Sequence, residues 1–127
     1  MRSLEQERAK FAWERIAEVK QLDGGKQKDY RSYVRRLPSI ILMSGLSNAL
    51  AFYKSKKGMH LEVYKHLNKW FHSEACPMAE EVEKKDLLTW LIEEADSLQA
   101  FRATEETLLL LGWLKKFAES ELEEGEE

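Results

Sequence analysis

The sequence has little of the residues that interrupt or cross-link a chain. Among its 127 residues there are six glycines, two prolines and a single cysteine. So few turn-forming residues are unfavourable for a sheet with many tight turns and favour helices instead. The lone Cys76 excludes an intramolecular disulfide and is typical of a protein from a reducing compartment.

Long apolar runs are also missing. The longest span about four residues, far short of the roughly 20 that a membrane-spanning helix needs. Acidic residues, Glu5 and Glu7, stand where a signal peptide would need an apolar stretch. We therefore expect a cytoplasmic protein without a membrane partner. Its length favours one domain, residues 1–122, followed by an acidic tail, 123–127, that we expect to fray.

The net charge of −3 conceals an uneven distribution along the chain. Residues 1–70 carry 15 Lys/Arg and seven Asp/Glu, a balance of +8, whereas residues 71–127 carry five and 16, a balance of −11. Within residues 26–57 there are eight basic residues and one acid, Asp29. This asymmetry indicates a polyanionic partner for the N-terminal half.

Apolar residues recur at helical spacing through most of the chain. They predict an all-α fold, a compact single-domain bundle of about six helices. We expect Cys76 and Pro77 to lie in a poorly ordered loop, and Pro38 to kink or break the second helix. The predicted helices run from a capping box at Ser3 to about Leu22, from about Lys26 to Gly45, from Leu46 to Gly58, over 60–72, from a cap at Asp86, and over 97–122.

Most aromatic residues fall in the apolar stripes and are predicted to lie in the core, namely Trp13, Trp70, Trp90, Trp113, Phe71 and Phe117. The four leucines at 108–111 make the last helix apolar on all sides, which predicts contacts on more than one side. Leu88, Leu91, Ile92 and Ala95 are predicted to share one side of the fifth helix.

Three apolar residues are candidates for a subunit interface. Phe52 lies off its helix's apolar stripe, so it could be exposed, and it could stack on a base or dock a partner. Burial against a neighbouring helix is the alternative. Phe101 and Leu108 form a second stripe on the last helix, consistent with either the core or contact with another subunit.

None of the residue patterns that commonly carry catalysis or metal binding is well formed. His60, His66 and His72 are spaced by six and so diverge by about 120° on a helix, whereas metal-binding helices use i, i+4 pairs. Cys76 has His72 nearby but no third orienting group. Adjacent acids such as Glu105 and Glu106 diverge by about 100° and are predicted to be solvated. We expect no catalytic residue, metal, cofactor or small-molecule substrate.

Basic residues, in contrast, cluster on one side of the second helix. Lys28, Arg31 and Arg35 lie within about 60° of each other, and Arg36 lies beside them. The apolar side of this helix is nearly opposite and is formed by Tyr30, Tyr33, Val34, Leu37 and Ile41. Three lysines end the next helix. We call these seven residues the basic face: Lys28, Arg31, Arg35, Arg36, Lys54, Lys56 and Lys57. Such arrays bind phosphate backbones, and an ordinary solvated helix surface is the alternative.

Several segments, taken in order, resemble the small helical subunit of the type III-B CRISPR RNA-targeting complex, the Cmr effector. The resemblance spans most of the chain. The segments that carry it are Glu5-Gln6-x-Arg8-Ala9-x-x-Ala12, Tyr30-Arg31-Ser32, Arg35-Arg36-Leu37-Pro38, Gly45-Leu46, Leu50-Ala51-Phe52-Tyr53-Lys54, Arg102-Ala103-Thr104-Glu105-Glu106 and Trp113-Leu114-Lys115-Lys116-Phe117-Ala118.

The resemblance implies a non-catalytic subunit. Several copies would stand beside the backbone subunits that hold the crRNA, forming the groove where target RNA pairs with the guide, and a backbone subunit would cleave the target. The implied partners are the backbone and large subunits, further copies, crRNA and target RNA. By position, Arg31, Arg35, Arg36 and Lys54 would face RNA, with Lys115 and Lys116 a lesser possibility.

The sequence departs from the family pattern at Gly112, which is unexpectedly small, and in its glutamate-rich tail. A different class of function also stays open. The chain could be a helical adaptor whose basic face docks an acidic protein without RNA contact.

Overall fold

The computed structural model describes residues 1–125, and within them the chain forms seven helices and no strand. The predicted all-α class is therefore confirmed. None of these helices combines the length and apolar character that crossing a membrane requires. The helices are α1 (Leu4–Lys20), α2 (Gly24–Ser44), α3 (Leu46–Ser55), α4 (Met59–Phe71), α5 (Ala79–Val82), α6 (Leu87–Glu93) and α7 (Ser97–Glu121).

Short-range capping signals set most helix ends. Ser3 forms the predicted capping box with Gln6 at the start of α1, and the Asp86 side chain caps α6. Asp96 caps α7 in the same way as Ser3 caps α1. Gly45 separates α2 from α3 with φ at +86°, a region that glycine enters without the Cβ penalty of other residues.

Helix α2 begins slightly earlier than predicted and continues through Pro38. The Asp23 side chain accepts a hydrogen bond from the Lys26 amide, so the predicted turn at Asp23 is the N-cap of α2. Proline lacks only its own amide hydrogen, so one helical hydrogen bond is lost. The remaining bonds of this 21-residue helix hold it together, and the break considered from the sequence does not occur.

The core lies where α2 and α7 meet the other helices. Helix α7 packs along α1 and α2, while α2 also contacts α3 and α4, and α3 contacts α6. Apolar side chains from each of these elements are removed from solvent. The largest fully buried ones include Trp70, Trp90, Tyr30, Tyr53, Phe71 and Ile16.

Two predictions about apolar residues are wrong. Trp13 is 51% exposed and packs edge-on against Phe117 of α7 at 5.0 Å, rather than entering the core. Ile92 of α6 is 67% exposed, although Leu91, predicted on the same side, is buried. The contacts predicted on more than one side of α7 do form, with α1 and α2, and they leave Leu109 47% exposed. Helical periodicity does not reveal how much of an apolar side another element covers.

Glu106 corrects another expectation, because it is buried rather than solvated. It is 5% exposed, and both of its oxygens accept hydrogen bonds from Arg8, each at 2.7 Å. The indole nitrogen of Trp70 donates a third bond at 2.9 Å. Arg8 lies 98 residues away in sequence, so only the packing of α1 against α7 creates this pair. Its neighbour Glu105 is exposed, as expected.

The segment predicted as a poorly ordered loop after α4 contains a short helix. Cys76 is 4% exposed and Met78 1% exposed, so the turn is anchored in the core. Helix α5 follows, and its C-cap residue, Glu83, has φ at +56°. Four residues of helix give too little periodicity to detect from sequence.

Candidate nucleic-acid interface

Helix α2 carries the central part of the basic face. Lys28, Arg31, Arg35 and Arg36 together line a cleft of about 340 Å³, which Asp29, Ser32, Glu124 and Gly125 complete. Spacings of three, four and one residues place these cations on one side of α2. The other side buries Tyr30, Val34, Leu37 and Ile41. The sequence prediction that these four cations share a surface agrees with this geometry.

Arg31 has a structural partner at the end of α7. Its Nη1 donates to the carbonyl oxygens of Glu119 and Leu122 at 3.2 and 3.3 Å. Its Nη2 lies 3.8 Å from the Glu124 carboxylate. The last carbonyls of a helix have no partner within the helix, so a guanidinium there satisfies them and suits the helix dipole. Arg31 therefore joins α2 to the end of α7.

Arg36 is held against its own helix. Its Nε and Nη2 donate to the Ser32 hydroxyl at 3.2 and 2.7 Å. The guanidinium lies 5.3 Å from the centre of the Tyr33 ring, a cation–π distance. Arg36 is nevertheless exposed, as are Lys28 and Arg35. Its charge is thus fixed in position and accessible.

Aromatic rings connect α2 to the lysines at the end of α3. Tyr33 stacks on His60 of α4 with ring centres 3.6 Å apart, and Phe52 of α3 meets His60 edge-on at 5.6 Å. The Lys56 ammonium lies 5.2 Å from the centre of the Phe52 ring. Lys57 is the next residue and is also exposed. The two parts of the basic face are therefore linked through this set of rings.

The environment of His60 reflects both groups of cations. Burial lowers its pKa, and the charges of Arg36 and Lys56 lower it further, while Asp29 acts in the opposite direction. His60 is therefore a neutral aromatic ring at pH 7 rather than a cation. Sequence reasoning considered His60 only as a metal ligand and Tyr33 only as a core residue. The interleaving of Phe52, Lys56 and His60 was the signal that could have identified this site.

Lys54 differs from the other lysines because it has an acidic partner. Its Nζ lies 2.9 Å from Asp86, whose other carboxylate oxygen accepts a bond from the Tyr64 hydroxyl at 2.6 Å. Burial raises the pKa of Asp86, but the hydrogen bonds from Tyr64, Lys54 and Thr89 outweigh it and the pKa is lowered. Lys54 thus supports the capped start of α6.

The predicted subunit-interface residues lie on two separate elements. Phe52 on α3 is 45% exposed and Phe101 on α7 is 60% exposed. Leu108 is partly buried against the core, near the exposed Leu109. Also on α7, Lys115 and Lys116 are exposed, with the Lys116 ammonium 5.1 Å from the Trp113 ring centre.

The other titratable candidates are engaged in the fold. Burial raises the pKa of the Cys76 thiol to about 12. His66 is buried and bonded to the Tyr30 hydroxyl at 2.7 Å, and burial lowers its pKa to about 3. His72 is within 2.7 Å of the Asn68 carbonyl and 2.6 Å of the Lys85 carbonyl. Residues 1–125 contain no group of three or more His, Cys, Asp or Glu arranged to hold a metal ion.

Comparison with known protein families identifies the family to which this chain belongs. The family model described as "CRISPR-associated protein (Cas_Cmr5)" matches residues 4–121. The chain belongs to the Cmr5 family. The match runs from the first residue of α1 to the last residue of α7, so the acidic tail lies outside it. The resemblance noted from the sequence is confirmed.

Individual Cmr5 relatives agree with the family assignment. The CRISPR system Cmr subunit Cmr5 of Thermus thermophilus is 32% identical over 126 residues, covering 98% of this chain and 100% of the relative. The crystal structure of a CRISPR-associated Cmr5 family protein from the same species has a TM-score of 0.74 at 31% identity. It covers 97% of this chain and 100% of the other.

Proposed function

We propose that this Cmr5-family chain is a non-catalytic structural subunit of a type III-B CRISPR (Cmr) ribonucleoprotein in antiviral defence. Several copies stand beside the backbone subunits that hold the crRNA. The basic face of each copy binds target RNA or the guide–target duplex. The subunit supplies surface and charge, and target cleavage belongs to a neighbouring subunit.

The observation that carries this proposal is the cleft on α2, where four cations converge. Lys28, Arg35 and Arg36 are exposed there, and Asp29 and Glu124 are the acids that line it. Phosphate groups bind such arrays through charge and hydrogen bonds, largely without regard to sequence. Family membership supports the RNA assignment, because the Thermus thermophilus relative is a Cmr subunit.

The absence of catalysis is part of the proposal and has its own support. A nucleophilic cysteine needs a lowered pKa, whereas burial raises that of Cys76 to about 12. A general base needs a pKa near 7, whereas that of His66 is about 3. Glu106 is occupied by Arg8 and Trp70. Each of these groups is buried and poorly suited to chemistry.

One contact favours a second candidate function, a protein-binding adaptor. Arg31 of the basic face lies 3.8 Å from Glu124 of the same chain, so this surface accepts a carboxylate. An acidic segment of another protein could use the same cations. We rank the adaptor function below RNA binding, because the carboxylate contact is made by Arg31, which also holds the end of α7 and so has a structural role.

Filter binding at several salt concentrations separates the two functions. The test variant is Lys28→Ala/Arg35→Ala, and the control is Lys10→Ala/Lys84→Ala, which removes two exposed cations outside the basic face. For single-stranded RNA the test variant should bind more weakly across all sequences, and its salt slope should flatten by roughly 1.4, about 0.7 per lost contact. The control should resemble the unaltered chain.

The adaptor function makes the opposite prediction. If RNA affinity and salt slope are the same in the test and control variants, the cleft does not contact RNA. Loss of binding to an acidic subunit in the test variant alone would then identify the adaptor.

Phosphodiesterase activity of the pure chain that disappears with a Cys76 or His66 substitution would contradict the non-catalytic assignment.

A further inference from the structure

Three helices bring aromatic rings together at one edge of the basic face. Tyr33 comes from α2, Phe52 from α3 and His60 from α4. Tyr33 and His60 are nearly parallel, with 15° between ring planes, and Phe52 stands at 74° to His60. Phe52 is 45% exposed, whereas Tyr33 and His60 are partly buried. The cluster therefore presents one accessible ring, Phe52, which contacts His60, and His60 in turn stacks on Tyr33.

A buried tyrosine holds this cluster in place. Tyr53 is 1% exposed, and its hydroxyl donates to the Tyr33 carbonyl at 2.7 Å. Its ring also meets His60 edge-on at 4.9 Å and Phe52 at 5.8 Å. Rings that are already ordered lose little further freedom when a ligand stacks on them. A flat ligand can therefore stack on these rings at little cost in conformational entropy.

Two cations lie against rings of this cluster. The Lys56 ammonium lies 5.2 Å from the Phe52 ring centre and the Arg36 guanidinium 5.3 Å from that of Tyr33. A ligand that suits this site combines a flat π-surface with adjoining negative charge. An unpaired nucleotide has both, and single-stranded nucleic-acid sites combine aromatic platforms with cations in this way.

We propose that Phe52 stacks an unpaired RNA base while Lys56 and Arg36 hold the adjoining phosphates. This inference rests on the proposed function and narrows it, because the bases of an A-form duplex are already stacked and cannot reach the ring. The ligand of this part of the basic face is therefore single-stranded RNA. Phe52 is a specificity residue for unpaired strands, and the cleft on α2 supplies general phosphate affinity.

Fluorescence anisotropy with the full chain tests the stacking directly. The probes are a labelled oligouridine of about 12 nucleotides, an abasic ribose-phosphate oligomer of the same length, and an RNA duplex of that length. Phe52→Ala should weaken oligouridine binding roughly five- to a hundredfold. The conservative Phe52→Tyr should stay within about twofold of the unaltered chain, because it keeps a ring.

The other probes separate stacking from charge. Phe52→Ala leaves the charge unchanged, so its salt slope and its affinity for the duplex and the abasic oligomer should match those of the unaltered chain. Lys57→Ala is the matched charge variant, and it should weaken binding to all three probes and flatten the slope. Phe52 is substantially exposed, so its replacement should not unfold the chain.

Several outcomes would overturn the inference. One is oligouridine affinity that does not change in Phe52→Ala, and another is an equal loss on the abasic oligomer. A change in self-association with RNA affinity intact would instead support the prediction of Phe52 as a subunit contact. In these cases the proposed function still stands if Lys28→Ala/Arg35→Ala weakens RNA binding, so the two failures are distinguishable.

Discussion

Replacing Glu106 with alanine should be among the most destabilising single changes on the polar residues of this chain. The carboxylate accepts two bonds of 2.7 Å from Arg8 and one of 2.9 Å from the Trp70 indole. Arg8 is 7% exposed, so the change leaves a buried guanidinium without its main partner. Among the described residues, Glu5 is the other acid paired with Arg8, at 3.5 Å, and it is largely exposed, so it could replace only part of that interaction.

The size of the effect follows from the burial of both partners. Removing one member of a buried ion pair costs about 3–5 kcal/mol, and an unsatisfied buried indole N–H costs about 1–3 kcal/mol. These costs overlap, so we expect the free energy of unfolding to fall by about 3–5 kcal/mol for Glu106→Ala. For a domain of this length, that is a fall in Tm of roughly 10–20 °C.

Thermal and urea unfolding followed by circular dichroism would measure this loss. The matched control is Glu105→Ala, which changes the adjacent, exposed residue and should alter the free energy of unfolding by less than about 0.5 kcal/mol. Equal effects in Glu106→Ala and Glu105→Ala would refute the reasoning.

A double variant tests whether unpaired charge is the cause. Arg8→Met/Glu106→Leu removes both charges, and apolar replacement of a buried pair is often nearly neutral. Only the Trp70 N–H then lacks a partner, so we expect a loss of about 1–3 kcal/mol, smaller than that of Glu106→Ala. If the double variant is as unstable as Glu106→Ala, the loss of stability arises from lost packing rather than from an unpaired charge.

Two further predictions concern stability. Arg31→Ala should lower the free energy of unfolding by about 1–2 kcal/mol, because two carbonyls at the end of α7 lose their donor. Limited proteolysis should then cut the end of α7 earlier, and unchanged cleavage would contradict this role. The pKa of His66 falls from 6.5 to about 3 on folding, so between these values the unfolded chain binds a proton that the folded chain does not. The free energy of unfolding, measured with urea, should therefore fall by about 2 kcal/mol as the pH is lowered from 7 to 5, and His66→Gln should remove that decrease. An equal decrease in the variant would exclude His66 as its source.

Features that depend on nearby residues could be predicted from the sequence. Ser3 with Gln6, Asp86 and Gly45 act within one turn of helix, so the helix ends they set are visible in the sequence. The separation of α2 into an apolar side and a basic side can also be predicted locally, because apolar and charged residues recur with the period of the helix. This is why the basic side of α2 could be located before any tertiary structure was known.

Features that arise from packing between distant segments could not be predicted. Glu106 has the same sequence neighbourhood as a solvated glutamate, and only the approach of Arg8 from α1 buries it. The binding of Arg31 to the end of α7 similarly joins residues that are 88 and 91 positions apart. The ring cluster needs three helices to meet, so Tyr33 and His60 were assigned separately and to other roles.

The expected fraying of the acidic tail is a prediction that concerns residues 123–127. Within the described part, Glu123 donates its amide hydrogen to the Gln27 side chain at 3.1 Å, and Glu124 lies near Arg31. Residues 126 and 127 lie outside the described range. The tail therefore begins against the N-terminal part of α2, beside the cations of the basic face.

Ultraviolet crosslinking of the chain to RNA in its purified native assembly, read by mass spectrometry of the crosslinked peptides, tests the central claim most directly. If the basic face contacts RNA, nucleotide adducts should be concentrated in peptides from residues 26–60, which hold the cleft on α2 and the ring cluster. Adducts confined to residues 79–121, with none in 26–60, would contradict the account.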